Sequence, residues 1–247
     1  MRSLAKASAV LAAFRADRPE WGPRALALHL GLPRATVHAH LAALTEVGLL
    51  RRVARGRYRL SWRLAELAAQ LTDALPFLPR ARLALAELAA RERALAYVCV
   101  LEDRRVVCVA RTLGDPAAGD ALQTDVVLPT HATAAGKLLY AFAGLTPPAL
   151  TPYTASTITT PDEWASELAR VLELGYARAV EEWLPGQCAL AAPLLWEGGV
   201  AAALGLQLPL KRFLAREKRL VTALRAAAES VSLPPSVGEA GAAAGAL

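Results

Sequence analysis

PRALALHLGLPRATVHAHLAALTEVGLLRRVARGRYRL, residues 23 to 60, reads as a short helix, a tight turn, a longer helix and a basic hairpin. Ser3 to Phe14, with Leu4, Val10, Leu11 and Phe14 at helical spacing, predicts a further helix ahead of it. Together these elements outline a winged helix-turn-helix. Gly31 supplies the positive φ of the interhelix turn, and Pro33 suits the start of the next helix, where a missing N–H costs nothing.

On a wheel of about 100° per residue, Val37, Leu41 and Leu44 form the buried stripe of the longer helix. Arg34 stands at its N-terminal tip, and Ala35, Thr36, His38 and Ala39 point outward beside Ala42. A small, polar face of this kind seats deep in a DNA major groove, with Arg34 able to pair with guanine and Thr36 or Ala35 to pack on a thymine methyl. An ordinary surface helix is the competing explanation of the wheel. Arg24 on the preceding helix and Arg51, Arg52, Arg55 and Arg57 on the hairpin complete the candidate DNA-binding set; Arg59 adds to the same cluster. Phosphate is their natural counter-anion, a solvated wing tip the alternative. His38 and His40, two apart on a helix, point in different directions and cannot chelate one ion, and His40 is expected to be structural.

Charge follows the same division. Residues 1 to 75 carry 12 Lys and Arg against 5 Asp and Glu, whereas residues 76 to 247 carry 16 against 17. The picture is a polyanion-binding head on a near-neutral body. The chain is 55% apolar, with Ala the most frequent of these residues, yet no run approaches the roughly 18 unbroken apolar residues of a spanning helix. The basic, apolar N-terminus is read as an amphipathic helix rather than a signal peptide. Cys99, Cys108 and Cys188 form neither a disulfide framework nor a zinc site, and a cytoplasmic location is expected, without metal or cofactor.

Ser61 is expected to cap a linker helix carrying Trp62, Leu64, Leu67, Ala68, Leu71 and Leu75. That is more apolar surface than a lone connector needs, so a homodimer on a pseudo-palindromic site is expected. Beyond Pro79 the pattern predicts helices 80 to 93, 132 to 143, 162 to 174 and 211 to 231. Strands are predicted over 97 to 101, 106 to 110, 176 to 181, 189 to 195 and 200 to 208, making an α+β body. A symmetric turn at 102 to 105 places Cys99 opposite Cys108, either as two buried small hydrophobes or as a reversible disulfide. The expected divisions are a winged helix-turn-helix over 1 to 60, a linker over 61 to 78, the body over 79 to 232 and a disordered tail over 233 to 247.

LPTHATAAGK (128 to 137), Thr157-Ile158-Thr159, LARVLELGYARAVEEWLPG (168 to 186) and LAAPL (190 to 194) occur in an order that resembles the IclR-type transcriptional regulators, across nearly all of residues 3 to 230. The resemblance implies a winged helix-turn-helix, a linker helix and a GAF-like effector-binding domain. It also implies a homodimer or dimer of dimers on double-stranded DNA, regulated by a small molecule, with repression the commoner outcome. By the same resemblance, Ala134 and Ala135 offer helix N-terminal N–H groups to an effector carboxylate. The family's other polar contacts fall on Ala179, Ala189, Gly205 and Gln207, all changed from the acid-binding pattern, while Cys188 is one residue out of place. Fewer partners for a buried anion suggest a larger or less polar effector, with room at Ala179, Ala189 and Gly205 and with Gln207 as directional contact; the alternative is a degenerate pocket in a ligand-independent DNA-binding protein. No nucleophile elbow or complete phosphate loop is present, and Asp162-Glu163 and Glu181-Glu182 are read as helix N-terminal charge and solvated strand ends, so no enzyme is expected.

Overall fold

The computed structural model describes residues 3–15, 17–114, 127–147 and 149–232. The chain forms two compact units, Met1–Leu75 and Pro76–Leu247. The tail expected over 233 to 247 lies outside the described residues.

In the first unit, α1 (Ser3–Ala12), α2 (Pro23–Leu30) and α3 (Arg34–Glu46) precede a two-stranded wing, β1 (Leu50–Arg52) and β2 (Tyr58–Leu60). The stripe Val37, Leu41 and Leu44 is buried as the wheel requires, against Val10, Phe14, Trp21, Leu26, Leu50 and Tyr58. Gly31 closes α2 with φ 62°, the left-handed conformation that a residue with a Cβ adopts only at a cost. Trp21 ties the segment before α2 to the wing: its backbone pairs with Tyr58 and its indole N–H donates to the Ala13 carbonyl at 2.7 Å. This strand-like bridge has no periodic signature and escaped the sequence reading.

α4 (Arg63–Asp73) follows with no buried residue; Trp62 at its start is 79% exposed and Leu71 67%. Ser61 caps it only marginally, its hydroxyl lying 3.5 Å from the Arg63 N–H.

The second unit is built on six antiparallel strands ordered β5-β4-β3-β8-β7-β6: β3 (Leu95–Glu102), β4 (Arg105–Leu113), β5 (Val127–Leu128), β6 (Ala177–Val180), β7 (Gln187–Trp196) and β8 (Gly199–Pro209). Side chains alternate between the faces of the sheet. Leu95, Tyr97 and Cys99 join a core with α6 (Ala134–Ala143) and α7 (Pro161–Leu174). α5 (Leu78–Glu92) and α9 (Glu217–Val231) pack together and against the sheet. The closing helix expected over 211 to 231 is broken at Ala215 and Arg216 into α8 (Leu210–Leu214) and α9. The turn after β3 has the expected symmetry, Cys99 pairing with Cys108, before a bulge shifts the register.

Asp162-Glu163 behaves as helix N-terminal charge. The Thr160 hydroxyl caps the helix, accepting from the Glu163 N–H and donating to the Glu163 carboxylate at 2.8 Å. Glu181-Glu182 does not behave as expected, because Glu182 is buried rather than solvated.

Candidate functional site

Two places carry chemistry, one in each unit. In the first, α2 and α3 meet across the Gly31 turn, and the exposed N-terminal turn of α3 presents Arg34, Ala35, His38 and Ala39, with Thr36 and His40 half-buried. An open groove is lined by Arg24, Arg34, Arg55 and Arg57, so fold and turn bring four of the candidate arginines together. Glu20, 3.7 Å from Arg57, also borders it; both side chains are substantially exposed and the pair is weak. Arg55 takes φ 58° at the wing tip, strained for a non-glycine residue and next to Gly56 at φ 70°.

Arg51 is not part of that groove. It lines a second one with Arg15, Arg59 and Trp62. Arg52 is exposed and pairs across the wing with Tyr58. The wing therefore distributes its arginines over two surfaces: Arg55 and Arg57, in the tip outside the strands, border the first groove, and Arg51 and Arg59, paired across the strands, border the second.

In the second unit, register assembles the other site. Ala179 pairs with Ala189, and Ala189 with Gln207, so three of the expected effector residues form one row across β6, β7 and β8. All three border a cavity with Tyr97, Leu128, Ala132, Thr133, Glu182, Trp183, Leu184, Gln187 and Cys188. Cys188, one residue out of place in the sequence pattern, borders it as well. Gln207 donates weakly to the Gln187 side chain at 3.4 Å. The cavity holds about 20 Å3, space for about one water molecule.

The room expected at Gly205 does not exist. Tyr97 pairs with Gly205 across β3 and β8, and a Cβ built on Gly205 would lie 2.2 Å from the Tyr97 Cζ. The phenol ring fills the space that a side chain at 205 would take. Ala134 and Ala135 are fully buried and do not border the cavity; Ala132 and Thr133 do. The Thr133 hydroxyl accepts from the Gly136 N–H at 3.2 Å and its carbonyl from Lys137, while no acceptor among the described residues is aligned with the Ala134 or Ala135 N–H.

Beside the cavity lies a buried ion cluster that the sequence reading missed. Lys137, 1% exposed, donates to Glu167 at 3.1 Å, to the Arg178 carbonyl at 3.0 Å and to Glu182 Oε1 at 2.6 Å. Glu182 Oε2 is equally near the ammonium but without an aligned hydrogen bond. Burial pushes the Glu182 carboxyl above its ordinary range, and Lys137 opposes that shift. Arg170 holds Glu167 through both carboxylate oxygens. The signal was present in the sequence as a lysine inside an otherwise apolar helix, AAGKLLYAFA.

His131 is buried and structural, its Nε2 lying 2.8 Å from the Thr151 carbonyl. Among the described residues there is no cluster of metal ligands and no helix long and apolar enough to cross a membrane.

A family profile described as the bacterial transcriptional regulator IclR C-terminal domain matches residues 69–233, and the IclR helix-turn-helix domain matches residues 3–54. The glycerol operon regulatory protein of Streptomyces griseus is 30% identical over 243 residues, covering 94% of this chain and 95% of that protein. The HTH-type transcriptional regulator XynR of Escherichia coli is 29% identical over 216 residues, 83% of this chain and 85% of that one. Among solved structures, an IclR homolog from Microbacterium hydrocarbonoxydans complexed with 4-hydroxybenzoate superposes with a TM-score of 0.82 at 28% identity, covering 94% of this chain and 98% of that chain. This chain belongs to the IclR family: it is a non-enzymatic, DNA-binding transcriptional regulator with a C-terminal effector-binding domain.

Proposed function

We propose that the chain is a repressor that binds a pseudo-palindromic operator as a homodimer or dimer of dimers, with α3 in the major groove and the wing on the backbone. The observation that carries this reading is the convergence of Arg24, Arg34, Arg55 and Arg57 on one groove beside the exposed face of α3. Arg34 reads a base, with Ala35, Thr36, His38 and Ala39 as its close-fitting surroundings; the other arginines hold phosphates. Leu67 and Leu71, exposed one turn apart on α4, support dimerisation. Three free thiols suit a reducing cytoplasm.

A small-molecule effector binds in the cavity bordered by Ala179, Ala189 and Gln207 and lowers DNA affinity. One observation favours a second reading, a ligand-independent binder: the cavity as it stands admits about one water.

Fluorescence anisotropy on the chain's own upstream intergenic DNA against a scrambled duplex, across salt and with Arg34→Ala, tests the DNA reading. A preference for the native duplex, lost in the variant with a cost of about 1–3 kcal/mol, is the expected result. Equal, strongly salt-dependent binding to both duplexes by the wild type would overturn sequence reading.

A further inference from the structure

We propose that Tyr97 is the specificity-determining residue of the effector site: seated on Gly205, its ring restricts the pocket to compact, non-aromatic ligands. The proposal rests on the reading that an effector occupies this cavity, and it reverses the expectation of a larger effector. Ala179, Ala189 and Gly205 carry little or no side chain, which alone would leave room at this wall. Tyr97 takes that volume back from the neighbouring strand.

The packing supports a fixed ring. Tyr97 is 1% exposed on a central strand and packs in the core formed with α6 and α7. Its ring carbons and hydroxyl lie 2.2 to 2.6 Å from where a Cβ of residue 205 would be, so any residue but glycine there collides with it. Covering a strand glycine with a cross-strand aromatic ring is a known way to stabilise a sheet. Here the same ring borders the cavity, so the packing device also sets the size of the ligand. The space beside the ring is about 20 Å3, room for about one water molecule and far less than a six-membered ring needs.

The test uses the full chain with phenol, benzoate and 4-hydroxybenzoate as probes, titrated by calorimetry into wild type, Tyr97→Val and Tyr97→Phe, each checked for native circular dichroism. Wild type and Tyr97→Phe, which keeps the ring, should bind none of the three measurably, while Tyr97→Val should bind at least one about tenfold or more tightly. Equal binding to wild type and Tyr97→Val, or no gain with any probe, overturns the proposal. Gly205→Ala provides a test independent of ligand: it should lower the melting temperature markedly in the wild type and little in the Tyr97→Val background. Equal loss in both backgrounds also overturns the proposal. Operator affinity is measured in parallel. If Tyr97→Val gains ring binding while DNA affinity stays unchanged, the size limit stands and effector control through this cavity fails.

Discussion

Arg51 and Arg59 stand directly opposite each other on the two strands of the wing, both exposed and both lining the groove that also holds Arg15 and Trp62. Like charges in register cost about 0.2–1 kcal/mol in a sheet unless a counter-anion lies between them. Replacing Arg51 with Gln should therefore stabilise the free protein slightly and weaken DNA binding. The slope of log affinity against log salt should fall by about 1 if Arg51 neutralises one phosphate. Thermal unfolding and anisotropy across salt measure the two effects, and an unchanged slope would remove Arg51 from the DNA interface.

α4 exposes Trp62, Leu67 and Leu71 along one helix. Leu67→Glu and Leu71→Glu should shift sedimentation toward the monomer and weaken binding to a two-half-site operator more than to a single half-site. A variant that sediments like the wild type would locate the dimer contact elsewhere.

Lys137 neutralises Glu182 and Glu167 away from water. Lys137→Met should cost about 3–5 kcal/mol, because removing one partner strands buried charge. Circular dichroism during urea unfolding measures this, and a loss under about 1 kcal/mol would mean that water already reaches the cluster.

The Glu182 carboxyl is raised above its ordinary value of 4.5, so the native state holds this proton more tightly than the unfolded chain does. The stability it contributes is fully present below about pH 4.5 and is lost as pH rises through the folded pKa. Glu182→Gln should abolish that component, so the difference between wild-type and variant unfolding free energies should fall as pH rises above 4.5 and then level off. Parallel curves for the two proteins across that range would show that Glu182 does not titrate differently on folding.

Cys108 is half-buried, and a hydrogen bond with Cys99 lowers its thiol below the ordinary value, whereas burial raises Cys99 and pushes Cys188 up to about 11. Ellman's reagent near neutral pH should therefore modify one thiol per native chain quickly, and Cys108→Ser should remove that phase. A fast phase that survives in Cys108→Ser would mean that another thiol is the exposed one.

Much of this was legible from local pattern. The stripe Val37, Leu41 and Leu44, the Gly31 turn and the cross-strand position of Cys99 and Cys108 all follow from helix period, turn chemistry and hairpin symmetry, which act over neighbouring residues, whereas Ala179, Ala189 and Gln207 were named only through the family resemblance. Three features lay beyond such reading. The strand-like bridge from Trp21 to Tyr58 involves a single residue pair. Glu182 looked like a solvated strand end because nothing nearby in sequence announces that Lys137, 45 residues earlier, is buried against it. Gly205 looked like added room because one strand alone shows an absent side chain, not what fills the gap. By itself the sequence determined most of the elements, the register of the hairpin that pairs Cys99 with Cys108 and the basic head, since propensity and periodicity are local. Only the tertiary structure decided which charges are buried and which cavity stays open, since burial and steric exclusion depend on groups more than 100 residues apart, as Tyr97 and Gly205 are.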